Sequence, residues 1–129
     1  MNTPNNLRYT KDHEWAKLEG KIATIGVSEF AVHQLGDITL VELPAVGAQI
    51  KAHAAIGTLE SVKAVSDLFS PLSGKVVKVN GELDDAPEKV NADCYGEGWM
   101  IQIEVADASE FEQLLDAAAY KAHVDSLEG

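Results

Sequence analysis

From residue 13 to residue 105 the apolar residues of this chain arrive in short runs, each cut off by glycine, proline or Asn-Gly before a helix could complete several turns. Valine, isoleucine and threonine fill many of these runs and favour extended backbone. Residues 13–19 and 21–26 are expected to form a hairpin turning around Glu19-Gly20-Lys21. Ser28 can cap a short helix through about Leu35, with Phe30 and Leu35 facing inward and Gly36 as its stop. Residues 38–43 form the next strand, ended by Pro44 and a turn near Gly47, and residues 55–59 and 68–70 supply a further hairpin. After Pro71 and Gly74, residues 75–79 alternate as a strand with one wet face does, and Asn80-Gly81 signals a turn. Residues 82–97 are polar and irregular, with Pro87 barring a long helix, and residues 99–105 return to strand. Ser109-x-x-Glu112 has the form of a capping box for a helix carrying Phe111, Leu114 and Leu115, and Asp116 can start another through Tyr120 and Val124. Short strands followed by terminal helices argue for a mainly β, antiparallel core with helical decoration.

With 129 residues and 46% hydrophobic content, the expectation is one domain spanning 1–129. No stretch approaches the roughly 20 apolar residues of a membrane helix. Residues 1–6 lack the basic and apolar segments of a secretory signal and the arginines of a transit peptide. The bacterial cytoplasm is therefore the expected location, with the mitochondrial matrix only for a processed organellar form. Lys+Arg at 10 against Asp+Glu at 21 gives a net charge of -11, which repels phosphate backbones and anionic lipid and argues against nucleic acid and membrane as partners. The same field favours basic docking surfaces, with a purely solubilising surface as the alternative.

Cys94 is the sole cysteine, so neither an intramolecular disulfide nor a cysteine zinc cluster can form, and no adjacent histidine or basic residue points to an activated thiolate. His13, His33, His53 and His123 lack close metal-ligand spacing, so no metal site is expected. Gly96 and Gly98 flank Glu97 without the rest of a phosphate loop, and no nucleophile elbow or dinucleotide fingerprint occurs. The motif that carries chemistry is Glu60-Ser61-Val62-Lys63-Ala64-Val65-Ser66-Asp67, one lysine between small and β-branched residues, fenced by carboxylates. Placed at or near a hairpin tip, Lys63 is displayed as a carrier displays a lysine for modification. An ordinary solvated turn lysine is the alternative.

Glu60 to Asp67 resembles throughout the lipoyl-lysine octapeptide of the glycine cleavage system H proteins. Other pieces of that family follow in order: Leu7-Arg8-Tyr9-Thr10, His13-Glu14-Trp15, Leu35-Gly36-Asp37, Val41-Glu42-Leu43-Pro44, Ser70-Pro71-Leu72-Ser73-Gly74, Val90-Asn91 and Gly98-Trp99-Met100. The resemblance implies a barrel-sandwich hybrid of the lipoyl and biotinyl type, with a short N-terminal helix and C-terminal helices. It implies lipoic acid joined as an amide to Lys63, and a carrier with no catalytic site of its own. Such a carrier takes the aminomethyl group of glycine from a pyridoxal-phosphate-dependent glycine decarboxylase (P protein) to a tetrahydrofolate-dependent aminomethyltransferase (T protein). A dihydrolipoyl dehydrogenase (L protein) then reoxidises the arm.

On this resemblance Glu60 and Asp67 are candidates for orienting Lys63 or for recognition by the lipoate-attaching enzyme. Glu14 and Asp67 are candidates for holding the amine of the cargo, with a solvated strand carboxylate as the alternative for Glu14. Phe30 and Val32 stand where the family often has histidine and glutamine, Gln34 where a second histidine is common, and Asp12 where a small hydroxyl residue is common. A biotin carrier is disfavoured because Val62-Lys63-Ala64 is not Met-Lys-Met, and the Asp-Lys-Ala site and mobile linker of 2-oxoacid dehydrogenase lipoyl domains are absent. A lipoyl relay protein feeding other acceptors and an unmodified interaction domain remain as alternatives.

Overall fold

The structure is a computed structural model and describes residues 2–128. The strands are β1 (Arg8–Tyr9), β2 (Glu14–Glu19), β3 (Ile22–Val27), β4 (Ile38–Glu42), β5 (Gln49–Ile50), β6 (Ala55–Ser61), β7 (Val65–Phe69), β8 (Gly74–Val79) and β9 (Ile101–Val105). The helices are α1 (Glu29–Leu35), α2 (Glu82–Asp85), α3 (Lys89–Ala92), α4 (Ser109–Glu112) and α5 (Ala117–Glu128). One sheet runs β1-β2-β3-β9-β8-β5 and the other β4-β6-β7, with every pairing antiparallel. The fold is thus mainly β, as two sheets and not as one closed barrel.

The turns form where local chemistry asks for them. Glu19 pairs with Ile22, leaving Gly20-Lys21 as a two-residue loop in which Gly20 takes φ 63, as the first position of a type II′ turn requires. Ser28 accepts the amide of Ala31 and so caps α1, and Gly36 ends that helix at φ 76 by donating to the Val32 carbonyl. Inside, Ala16, Ala23, Ile25, Val76, Ile101 and Ile103 of the large sheet meet Val41, Leu59 and Leu68 of the small one. Burying each of the larger side chains contributes about 1.5–3 kcal/mol.

A second cluster closes the ends of the chain on each other. Ala117, Tyr120 and Val124 mark one face of α5 and pack with Tyr9, Trp15 and Phe30. The rings of Tyr9 and Tyr120 stack with centroids 4.5 Å apart, and the Tyr120 hydroxyl bonds His13 Nδ1 at 2.8 Å and Ser28 Oγ at 2.6 Å. Tyr9 and Leu115 exchange backbone hydrogen bonds of 2.8 and 2.9 Å.

The C-terminal capping box does not form. α4 is a single turn, and Ser109 Oγ donates to Asp107 Oδ1 at 2.7 Å while Leu115 is drawn into the bridge with Tyr9. Asp116 does start α5, accepting the Ala119 amide at 2.8 Å. The polar stretch expected to be irregular contains the single turns α2 and α3, set on either side of Pro87. Among the described residues no helix is long and apolar enough to cross a membrane.

Candidate functional site

The small sheet ends in the lysine. Glu60 on β6 pairs with Val65 on β7, and the Ser61 amide donates to the Ala64 carbonyl at 2.8 Å, so Val62-Lys63-Ala64 forms the apex. Ser61 builds the turn from within. Its hydroxyl accepts the amides of Lys63 at 3.2 Å and Ala64 at 3.1 Å and lies 3.2 Å from the Ala64 carbonyl. Lys63 is exposed, and Val62 and Val65 beside it are 68% and 66% exposed, so the apex places apolar surface in water on both sides of the amine.

The strand pairings sort the carboxylates. Leu40, Glu60 and Val65 form one cross-strand row, and Glu42, Thr58 and Asp67 form another on the same outer face. Val41 and Leu59 point the other way, into the core. Glu60 is partly exposed and Asp67 exposed, both on the surface that leads to Lys63.

Glu14 lies elsewhere and in a different environment. At the start of β2 it is only 2% exposed, which overturns the reading of it as a solvated strand carboxylate. Thr10 organises the loop around it: its hydroxyl donates to Glu14 Oε1 at 2.6 Å and accepts the amides of Asp12 and Glu14, each at 3.2 Å. Loss of water pushes the carboxyl up to about 7, with Asp12 adding to the rise and the Thr10 hydroxyl and the Phe69 and Glu14 backbones opposing it. A cleft of about 320 Å³ opens beside this loop, lined by Tyr9, Thr10, Asp12, His53, Leu114 and others.

The structure leaves Asp67 exposed on the outer face of β7 and buries Glu14 against Thr10, and among the described residues no hydrogen bond joins the two carboxylates. Thr10 and Ser61 escaped assignment in the sequence. A hydroxyl residue followed by amides two to four positions later is the signal that could have found both.

The departures on α1 have structural reasons. Phe30 is buried with its ring 4.6 Å from that of His13, Val32 is buried in the main core, and Gln34 is exposed. Apolar side chains at the first two positions thus feed the core and not an open cleft. Burial pushes the Cys94 thiol up to about 12, with Glu29 adding to it, so this cysteine is an unreactive packing group.

Two sheets over a shared core, with one lysine raised on a hairpin apex, are the architecture of the lipoyl- and biotinyl-type domains. A family model described as "Glycine cleavage H-protein" matches residues 7–127. The glycine cleavage system H protein of Anaeromyxobacter sp. (strain K) is 53% identical over 128 residues, covering 99% of this chain and 100% of that protein. That of Bacteroides thetaiotaomicron is 52% identical over 125 residues, covering 97% and 99%. A crystal structure of a glycine cleavage system H protein from Mycobacterium marinum superposes with a TM-score of 0.88 at 35% identity, covering 95% of this chain and 98% of that one. The chain belongs to the glycine cleavage H-protein family.

Proposed function

We propose that this chain is the lipoyl carrier of a bacterial, cytoplasmic glycine cleavage system, acting as one domain without a catalytic site of its own. It carries lipoate as an amide on Lys63 and takes the aminomethyl group of glycine from the glycine decarboxylase to the aminomethyltransferase. The dihydrolipoyl dehydrogenase then restores the arm. The observation that carries this reading is the exposed Lys63 at the β6–β7 apex, where small and β-branched neighbours leave the amine open to an attaching enzyme.

Lipoate bound there supplies a disulfide that accepts electrons and thiols that hold a one-carbon group. The lysine itself supplies neither, since an ordinary lysine amine is an ammonium ion at pH 7. What the chain supplies is a fixed base. The antiparallel pairing of β4, β6 and β7 holds the root of the arm while rotation about its single bonds carries the far end between active sites.

Glu60 and Asp67, on the outer face leading to Lys63, are the candidates for recognition by the lipoate-attaching enzyme. Glu14, buried at the start of β2, and Asp67, exposed on β7, are the candidates for holding the amine of the cargo out of water.

Intact mass and peptide mapping of protein grown with lipoate test the assignment. One lipoyl group is expected, on Lys63. A lipoyl group mapped to Lys51 or Lys75 would sink it.

A further inference from the structure

The lysine apex is held from outside its own hairpin. The turn after α1, Gly36-Asp37-Ile38, lies against it, and the Asp37 carbonyl accepts the Val62 amide at 3.1 Å. The Lys63 stem crosses Gly36 so closely that a methyl group on that residue would stand 3.2 Å from Cε and 3.5 Å from Cδ. Gly36 has φ 76 and ψ -151, a backbone region that side chains other than hydrogen do not tolerate. The turn therefore forms a flat seat for the stem.

That seat is fixed by a residue far away in sequence. Asn91 on α3 donates from Nδ2 to the Gly36 carbonyl at 2.8 Å and accepts the Ile38 amide on Oδ1 at 2.9 Å. One side-chain amide thus satisfies a carbonyl and an amide on either side of Asp37, as a neighbouring strand would. Because Asp37 lies between the two anchored residues, its carbonyl is held where Val62 can use it.

We propose that Asn91 is a positioning residue for modification of Lys63: it fixes the turn at residues 36–38, which seats the lysine stem and pins the apex. The inference rests on Lys63 being the lipoyl attachment site. An apex already ordered has less freedom to lose when it enters the attaching enzyme, and that saving appears as a faster reaction at a given carrier concentration.

The test uses the full-length unmodified chain with a purified lipoate-attaching enzyme, lipoate and ATP, well below the melting temperature. Asn91→Ala is expected to lower kcat/KM for lipoylation by about three- to tenfold, the range that corresponds to immobilising one or two side chains. NMR should show faster solvent exchange at the Val62 amide while the amides of the β3–β9 pairing keep the parent rates. Asn91→Asp retains the acceptor for Ile38 and loses the donor to Gly36, so it should fall between the two, and it serves in place of the alanine variant should that one not fold. Parent rates of lipoylation and of Val62 exchange would overturn the proposal, as would acceleration spread evenly over all amides, which marks plain destabilisation. If the parent itself takes no lipoate on Lys63, the attachment reading fails, while Val62 exchange still decides whether Asn91 holds the apex.

Discussion

The loop that leads into Glu14 and the apex that displays Lys63 are built on the same local device and put to opposite uses. In each, one hydroxyl gathers two backbone amides: Thr10 takes those of Asp12 and Glu14, and Ser61 takes those of Lys63 and Ala64. The first turn joins β1 to β2 and holds Glu14, a residue only 2% exposed. The second stands in water and holds out the Lys63 side chain. Local hydrogen bonding sets the shape of both; burial decides what charge each can keep.

Replacing the displayed amine breaks one half of this comparison outright. Lys63→Arg keeps the positive charge on an exposed side chain, so stability should stay within about 0.5 kcal/mol of the parent. Lipoylation and glycine cleavage with the partner enzymes should fall to background, because guanidinium does not replace the amine as acyl acceptor. Full carrier activity in this variant would refute the assignment of the arm.

The buried half carries a pH signature. Folded Glu14 titrates near 7 against an ordinary 4.5, so between these values the folded chain keeps a proton that the unfolded chain has lost. Stability then declines as pH rises through that window, by up to about 3 kcal/mol, and levels off above it. Glu14→Gln should remove this decline, and denaturant titrations of both proteins at pH 5 and pH 8 measure the difference. The same variant, loaded with cargo, should release ammonia faster than the parent. Equal release would take Glu14 out of the proposed holding role without touching its titration.

Smaller effects separate the two hydroxyls. Thr10→Val removes the donor to Glu14 and leaves the buried Glu14 amide unmatched, at a cost of about 1–3 kcal/mol. It should also move the Glu14 titration further up, since the Thr10 hydrogen bond is one of the influences holding it down. Ser61→Ala, where water can replace the lost acceptor, should cost less than about 1 kcal/mol. Equal losses for the two, read as denaturant midpoints, would show that burial is not what distinguishes the turns.

Much of this was legible in the chain because it is local. Ser28 and Gly36 bracket α1, Glu19-Gly20-Lys21 turns β2 into β3, and the eight residues from Glu60 to Asp67 mark the apex. What was not legible depends on distant partners. Nothing near Asn91 announces that it will grip residues 36 and 38, and nothing in His13-Glu14-Trp15 says that the carboxyl will be sealed over. Ser109 misled for the same reason. Its spacing to Glu112 fits a capping box, but Glu110 is engaged by Ser73, Leu115 by Tyr9, and the helix stops after one turn. The partition into two sheets was equally hidden, since β8 pairs with β9 and β5 while β6 and β7, which lie between β5 and β8 in the chain, pair with each other and with β4.

The pairing of β3 with β9 sets a timetable for synthesis. Ile22 must wait for Glu104 before the large sheet can close, so most of the chain has left the ribosome before that sheet gains its middle. The β6–β7 hairpin needs only its own neighbours, because Glu60 meets Val65 across the apex and little loop entropy opposes it. A nascent chain can thus offer the lysine-bearing turn while its scaffold is still incomplete, whereas the seat for that lysine awaits Asn91.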